Sequence, residues 1–326
     1  MTLILIGLYR SAIMDKQDFL WTEKYRPSTI DQCVLPQELK DVFNAFVKDG
    51  DVPNLILSGG AGVGKTTVAR ALLDELDRDY MFINGSLEGR NIDTLRTLIK
   101  DYASSVSFKG GRKYVILDEA DYLNAQSTQP ALRNFMEEYS SNCGFILTCN
   151  FKNRIIDPLQ SRCTTIDFKF KNSEKPELAM QMFKRAIGIL EENGVGFNKK
   201  VVAEIVNKNF PDFRRVWNTL QQGSVLGEID TGVLTQSDDS ITTLVDYLKN
   251  KEFTEMRKWV AENSDIDSNM IFRKLYDNAY QYLKPESIPQ IVVHIADYQY
   301  KAAFAVDQEI NLVAFLTHVM MDCEFK

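Results

Sequence analysis

The chain has 326 residues, 44% hydrophobic and 25% charged, enough for about two to three domains with sizeable cores. A formal net charge of −7 excludes a protein that coats nucleic acid by bulk charge, so any DNA contact must come from a local patch. Five scattered cysteines without a C-x-x-C pair exclude a cysteine zinc module and point to a reducing compartment. The only two histidines, His294 and His318, fall in the last third of the chain, which excludes a histidine-based triad nearer the N-terminus and leaves both as expected helix-surface or core residues.

Residues 1–13 are apolar. The run is shorter than the roughly 20 residues that span a bilayer, and no small-residue cleavage site follows it. The polar stretch after Met14 fits an alternative start at that methionine. The pattern at 31–48 predicts a helix with Leu39, Val42, Phe43 and Phe46 on one face.

From 54 to 168 strand-like and helix-like runs alternate. Strands are expected at 55–57, 80–83, 113–117, 144–149 and 164–168, and helices at 65–76, 92–106, 128–140 and 155–160. That alternation implies an α/β fold with a parallel sheet covered on both faces. The turn between the first strand and its helix reads Gly59-Gly60-Ala61-Gly62-Val63-Gly64-Lys65-Thr66 and fits the P-loop pattern G-x-x-x-x-G-K-[ST]. Its glycines allow backbone N–H groups and the helix N-terminus to face a phosphate, with Thr67 in the same first turn. Lys65 can reach the β- and γ-phosphates, and the Thr66 hydroxyl can ligate Mg²⁺.

The third strand ends in Asp118-Glu119-Ala120-Asp121, a Walker B pattern. Asp118 is placed to hold Mg²⁺ and Glu119 to act as general base on the attacking water. Asp121 reads equally well as a solvated loop acid. Asn150, at the end of the fourth strand, lies where open α/β sheets bind ligands and can orient water or sense the γ-phosphate; alone, it could be a simple turn residue. Arg162, in Ser161-Arg162-Cys163, can serve a neighbouring subunit's site as an arginine finger. Arg214 can fold back on the γ-phosphate. A surface ion pair is the plain alternative for either arginine.

After 168 the pattern turns helical. Residues 169–175 form a charged connector, Pro176 suits the first turn of a helix, Gly194 and Gly196 close that helix, and two more are expected at 198–209 and 212–222. The polar stretch 223–240 reads as a linker. Beyond it the pattern is again helical, with Ile271, Leu275, Ala279 and Leu283 on one helix ended by Pro285, and with tyrosines that suit a core or a subunit interface.

Taken together, these motifs resemble the AAA+ family, and more narrowly its clamp-loader branch. Trp21-Thr22-Glu23-Lys24-Tyr25-Arg26-Pro27 resembles the W-x-E-K-Y-R-P box, which implies that Tyr25, Arg26 and Pro27 lie along the adenine pocket. Ala131-Leu132-Arg133, Met136-Glu137 and Tyr139-Ser140 resemble A-L-R-R-x-M-E-x-Y-S, and residues 155–163 resemble the I-I-x-P-x-Q-S-R-C box whose arginine, here Arg162, acts in trans. Phe210-Pro211-Asp212-Phe213-Arg214-Arg215 sits where the family has G-D-x-R-R, with Arg214 as second sensor. Pro211-Asp212 in place of G-D, with the shortness of the chain, is most similar to the phage-encoded branch. The sequence departs from the family at Pro130, tolerated in a first helical turn, and at Asn91, which replaces a glycine.

The resemblance implies an AAA+ P-loop domain at 14–169 after the 1–13 extension, a small helical lid at 170–235 and an all-α collar at 236–326. It implies an ATP hydrolase using ATP and Mg²⁺ that opens a ring-shaped sliding clamp, is triggered by primer–template DNA, and assembles as a homo-oligomer with a smaller accessory subunit, away from any membrane in the cytoplasm (the host's, if phage-encoded). Arg90, Arg96 and Arg133 are its implied DNA contacts. Other AAA+ motors and a non-hydrolysing scaffold subunit remain the alternatives.

Overall fold

The computed structural model describes residues 19–86, 92–107, 109–225, 227–229, 232–263, 268–302 and 304–326. The apolar extension, Met14, Arg90 and Asn91 lie outside these residues. The chain divides into two compact units, Met1–Asp230 and Thr231–Lys326.

The first unit opens with a short helix α1 (Trp21–Lys24) and then α2 (Gln37–Asp49). The helix expected from residue 31 begins only after Pro36, which is its N-cap with ψ 148°. Proline disfavours helical backbone in the residue before it, so the helix cannot run back through that point. Phe43 is fully buried, but Val42, expected on the same face, is 41% exposed.

There follow β1 (Leu55–Gly59), α3 (Lys65–Glu75), β2 (Tyr80–Asn84), α4 (Ile92–Ser104), β3 (Lys113–Asp118), α5 (Thr128–Glu138), β4 (Cys143–Cys149), α6 (Asp157–Gln160) and β5 (Thr164–Phe168). The strands form one sheet in the order β2-β3-β4-β1-β5, parallel throughout. Alternate residues of the inner strands β1, β3 and β4 enter opposite apolar layers, whereas the edge strand β5 buries only Ile166 and Phe168 on one face. Leu55, Leu57, Ile116 and Ile146 pack with Phe43, Val68 and Leu72 on one face. Ile56, Val115, Leu117 and Leu147 pack with Leu95, Ile99 and Leu132 on the other. Burial on both faces explains why these strands read as continuous apolar runs. β1 and β4 are central and neighbouring, so the ends of β1, β3 and β4 open together at one edge of the sheet.

The unit closes with α7 (Lys175–Glu192), β6 (Gly196–Phe197), α8 (Lys199–Asn209), α9 (Phe213–Val225) and β7 (Glu228–Ile229). This part was expected to be purely helical, but β6 and β7 pair in parallel and bury Ile229. Two residues per strand are too few to leave a period-two signal.

The second unit holds α10 (Gly232–Asn250), α11 (Phe253–Glu262), α12 (Ser268–Asp277), α13 (Ala279–Tyr282), α14 (Ile288–Ala302) and α15 (Gln308–Asp322). The linker expected through 240 is largely helix α10. Its buried Ile241, Leu244, Val245 and Leu248 anchor the helix, and propagation into polar residues costs little once a helix is nucleated. The single helix expected through Leu283 is broken at Asn278 into α12 and α13, though Ile271, Leu275, Ala279 and Leu283 all enter one core. Phe272 and Phe315 meet edge to face at 4.8 Å in that core. Of the tyrosines, Tyr298 is buried, while Tyr276, Tyr280 and Tyr300 are exposed. Among the described residues no helix is long and apolar enough to cross a membrane.

Candidate nucleotide-binding and active site

A cleft of about 430 Å³ lies where the carboxyl ends of the central strands meet α1, α7 and α9, within the range of small-molecule sites. Five basic and three acidic side chains line it, a local reversal of the chain's negative charge that favours an anionic ligand.

The P-loop forms one wall. Gly62 and Gly64 adopt φ of +73° and +94°, a left-handed region that side chains disfavour. Gly64 caps α3, whose first turn carries no acid and receives no side-chain cap. Its N–H groups and the positive end of its dipole are therefore left to an anion. Lys65 is buried and donates from Nζ to Gly59 O (2.9 Å), Gly60 O (2.7 Å) and Asn150 Oδ1 (2.9 Å). Burial pulls its ammonium below the usual lysine range, opposed by Cys149, Asp118 and Asp121 and reinforced by Arg214. A phosphate beside it would favour the charged form and oppose that shift.

The acids sit opposite. Asp118 Oδ1 accepts from Thr66 Oγ1 (2.5 Å) and from Thr148 Oγ1 (2.6 Å). A hydroxyl and a carboxylate sharing one point are the hard oxygen donors that suit Mg²⁺. Glu119 follows with φ +54°, a strained position for a side-chain-bearing residue. Its N–H donates to Thr148 Oγ1 at 3.1 Å. Behind it, Gly85 packs so tightly that a Cβ there would lie 2.8 Å from Glu119 O. The strained turn is thus held from both sides, with the carboxylate on the cleft wall.

The lid side of the cleft touches the P-loop directly. Phe213 N–H donates to Gly62 O at 3.0 Å. Asp212 lies so near that a Cβ on Gly62 would come within 1.8 Å of its Oδ1. Arg214 lines the cleft from the first turn of α9. Phe170, Phe210 and Phe213 stack around this junction with centroids 5.8–6.4 Å apart. Gly62→Ala is expected to cost about 1–2 kcal/mol through its left-handed backbone. It should cost about 1 more by displacing Asp212 from the Arg215 N–H that it caps at 3.1 Å. Thermal melting and ATP titration check this, both expected to fall.

At the far end, Tyr25, Arg26 and Pro27 line the cleft. The lid grips this segment: Arg185 donates to Tyr25 O (2.8 Å) and Gln32 O (2.9 Å), Asn193 Nδ2 to Tyr25 Oη (2.6 Å), and Trp21 N–H to Gln221 Oε1 (2.9 Å). Cys33 and Cys149 also border the cleft, and burial pushes their thiols up to about 12 and about 11. Both stay protonated and inert as nucleophiles.

Comparison with known proteins agrees with this geometry. Residues 55–170 match the family described as "ATPase family associated with various cellular activities (AAA)", and 174–235 match "Sliding-clamp-loader large subunit, AAA+ ATPase lid domain". The chain is 36% identical over 319 residues to the sliding-clamp-loader large subunit of Enterobacteria phage T4, covering 96% of this chain and 99% of that protein. The chain belongs to the AAA+ clamp-loader ATPase family. It is also 37% identical over 278 residues to the corresponding subunit of Escherichia phage RB69 (83% and 86% covered). With the replication factor C small subunit of Archaeoglobus fulgidus it shares 30% over 315 residues (92% and 97% covered). A Thermotoga maritima RuvB Holliday junction branch migration motor superposes with a TM-score of 0.53 at 16% identity, over 70% of this chain and 80% of that one, and shares the fold alone.

As a member of this family the chain is an ATP-hydrolysing P-loop ATPase. Of the residues singled out in its sequence, Tyr25, Arg26, Pro27, Ala61, Gly62, Gly64, Lys65, Thr66, Thr67, Asp118, Glu119, Asn150 and Arg214 line one cleft. Gly59 and Gly60 contribute carbonyls to Lys65, while Val63 turns into the core. Asp121 is not a solvated acid. It is 5% exposed, and its Oδ2 accepts from the N–H groups of Asn150 (3.3 Å) and Phe151 (3.2 Å), fixing the loop that presents Asn150.

Arg162 lies outside the cleft. It bridges to Glu137, with Nε to Oε1 at 2.7 Å, and donates to Pro158 O at 2.9 Å. Arg96 is exposed on α4 beside a groove shared with α5, and Arg133 donates to Asn134 Oδ1 at 3.0 Å.

Sequence reading missed three residues. Thr148 stands two before Asn150, so strand alternation puts both on one side; that spacing was a usable signal. Arg185 carried none, being a lone arginine on a lid helix. Gln129, fully buried, donates to Leu123 O and Arg154 O (3.0 Å each) and accepts from Ile156 N–H (2.8 Å), tying α5 to the segment that leads to Arg162. Only the fold brings those three carbonyl and amide groups together.

Proposed function

We propose that this chain is the ATPase subunit of a DNA polymerase sliding-clamp loader, working as a homo-oligomer with a smaller accessory subunit. The observation that carries the reading is the lid's contact with the P-loop through Asp212, Phe213 and Gly62. A ligand in the cleft meets both parts at once, so occupancy is coupled to lid position.

In this reading the adenine lies along Tyr25, Arg26 and Pro27, and the phosphates lie against the P-loop amides, Lys65 and Arg214. Lys65 then exchanges its carbonyl partners for phosphate oxygens, and Asn150 orients the attacking water. Glu119 accepts the proton of that water. Thr66 and Asp118 would hold Mg²⁺, which would supply neutralising positive charge to the phosphates. A neighbouring subunit's Arg162 completes the site. ATP binding favours the assembly that opens the ring clamp, and primer–template DNA, contacted by Arg96, Arg133 and the Arg90 segment, triggers hydrolysis and clamp release.

Steady-state ATP hydrolysis by the chain with its co-expressed partners tests this, with no DNA, duplex or primer–template DNA, each with and without the cognate clamp. Synergy between clamp and primed junction is expected. Stimulation by duplex or branched DNA that ignores the clamp would favour a DNA translocase instead. Lys65→Ala is expected to weaken ATP binding about ten- to hundredfold, since a charge-assisted hydrogen bond contributes about 1.5–3 kcal/mol. Equilibrium titration with a fluorescent ATP analogue checks it.

A further inference from the structure

The chain's two histidines, separated by more than twenty residues in sequence, meet on one carboxylate. His318 and Asp322 stand four residues apart on one face of α15. His294 projects from α14, with Nε2 3.0 Å from Asp322 Oδ2, and His318 Nδ1 lies 3.9 Å from the same oxygen. One donor atom from each residue falls within 4.8 Å of the others. The two rings meet edge to face, with centroids 5.4 Å apart.

An ordinary ion pair would need one histidine and one acid. Here a second imidazole converges on the same oxygen, and a fourth polar group adjoins: Gln290 Nε2 lies 3.2 Å from His294 Nε2. The amide of Gln290 is readily reversed to present its oxygen instead. Burial grades across the cluster. His294 is 9% exposed, whereas the side chains of His318 and Asp322 are 53% and 41% exposed. One ligand is thus fixed by the core, and the other two stand open to solvent, from which an ion can enter and a water can complete its shell.

We propose that His294, His318 and Asp322 form a transition-metal site that takes Zn²⁺ and clips α14 to α15, independently of the nucleotide cleft. Two imidazole nitrogens and one carboxylate oxygen suit a borderline ion, not the all-oxygen preference of Mg²⁺ or Ca²⁺. In a tetrahedral site with bonds of about 2.0–2.2 Å, ligand atoms stand about 3.3 Å apart. The 3.0 and 3.9 Å separations bracket that value. The exposed His318 ring supplies the remaining adjustment by turning about its own side-chain bonds.

The test uses the full chain with ZnCl₂ added in the presence of excess Mg²⁺, so that the nucleotide site does not compete. With only two histidines, ¹⁵N-resolved NMR of the ring nitrogens gives two imidazole spin systems, each with an Nδ1 and an Nε2 resonance. Both are expected to shift together and saturate at one equivalent of Zn²⁺, reverting on chelation, and the thermal midpoint is expected to rise with Zn²⁺ concentration. His318→Ala and Asp322→Asn alter exposed side chains, so each should fold. Each should weaken Zn²⁺ binding by at least about tenfold, the smallest loss typical even of an outer-shell change, with Mg²⁺-supported ATPase activity in the absence of Zn²⁺ unchanged. Zn²⁺ binding with unaltered affinity in both variants would place the ion elsewhere on the chain and overturn the site. So would a shift of only one imidazole, or no shift at tens of micromolar Zn²⁺.

Discussion

Glu119→Gln is expected to slow ATP hydrolysis by about 10²–10⁴-fold, the usual contribution of a positioned general base, while leaving ATP binding intact. The substitution keeps the volume and the backbone turn. Glu119 is held at φ +54° by its N–H bond to Thr148 and by the close approach of Gly85, neither of which involves the carboxylate. Only the proton acceptor is lost. Single-turnover hydrolysis together with ATP titration separates the two effects. Normal turnover would mean that another group takes the proton, and parallel loss of affinity would mean that Glu119 acts in binding. Thr148→Val should share part of the defect, because Thr148 Oγ1 holds both the Asp118 carboxylate and the Glu119 N–H.

Arg162→Ala is expected to cost about 10³–10⁵-fold in ATP turnover of the assembled complex, the range for an arginine finger, and nothing in an isolated chain. The expectation rests on position. Arg162 does not line its own cleft and is occupied by Glu137 and by the Pro158 carbonyl. That pair is substantially exposed, so it contributes about 0–1 kcal/mol and does not hold the arginine against a phosphate in a partner's site. Turnover measured alone and in complex decides the matter. Loss of activity in the isolated chain would assign Arg162 a role within its own subunit. Glu137→Gln is the companion measurement: it frees Arg162 and should leave the assembled rate near normal.

The contrast between Arg162 and the acids shows what a sequence can carry. Lys65, Asp118 and Glu119 are legible because each is bound to an element by short-range geometry: a glycine turn before a helix, and an acid at the end of a buried strand. The inner strands β1, β3 and β4 were legible for the same reason, since burial on both faces leaves a nearly unbroken apolar run, and the edge strand β5 by its alternation, with Ile166 and Phe168 buried and Thr164 and Asp167 exposed. The helix after Pro36, the break at Asn278 and the β6–β7 pair were misread because each depends on one residue or two, below the length at which periodicity speaks. Polar composition misled at 223–240, where tertiary anchoring downstream outweighs local propensity.

By itself, then, the sequence determined a P-loop ATPase with a parallel sheet and helical units behind it, because phosphate-binding turns and doubly buried strands are written in contiguous residues. The tertiary structure alone decided that Asp121 is buried beneath the Asn150 loop, that Thr148 joins the two Walker B acids, and that Asp212 rests on Gly62. It also decided that two distant histidines share one aspartate. Each of these is a contact between residues far apart in the chain, and no local spacing encodes where a folded backbone will bring them.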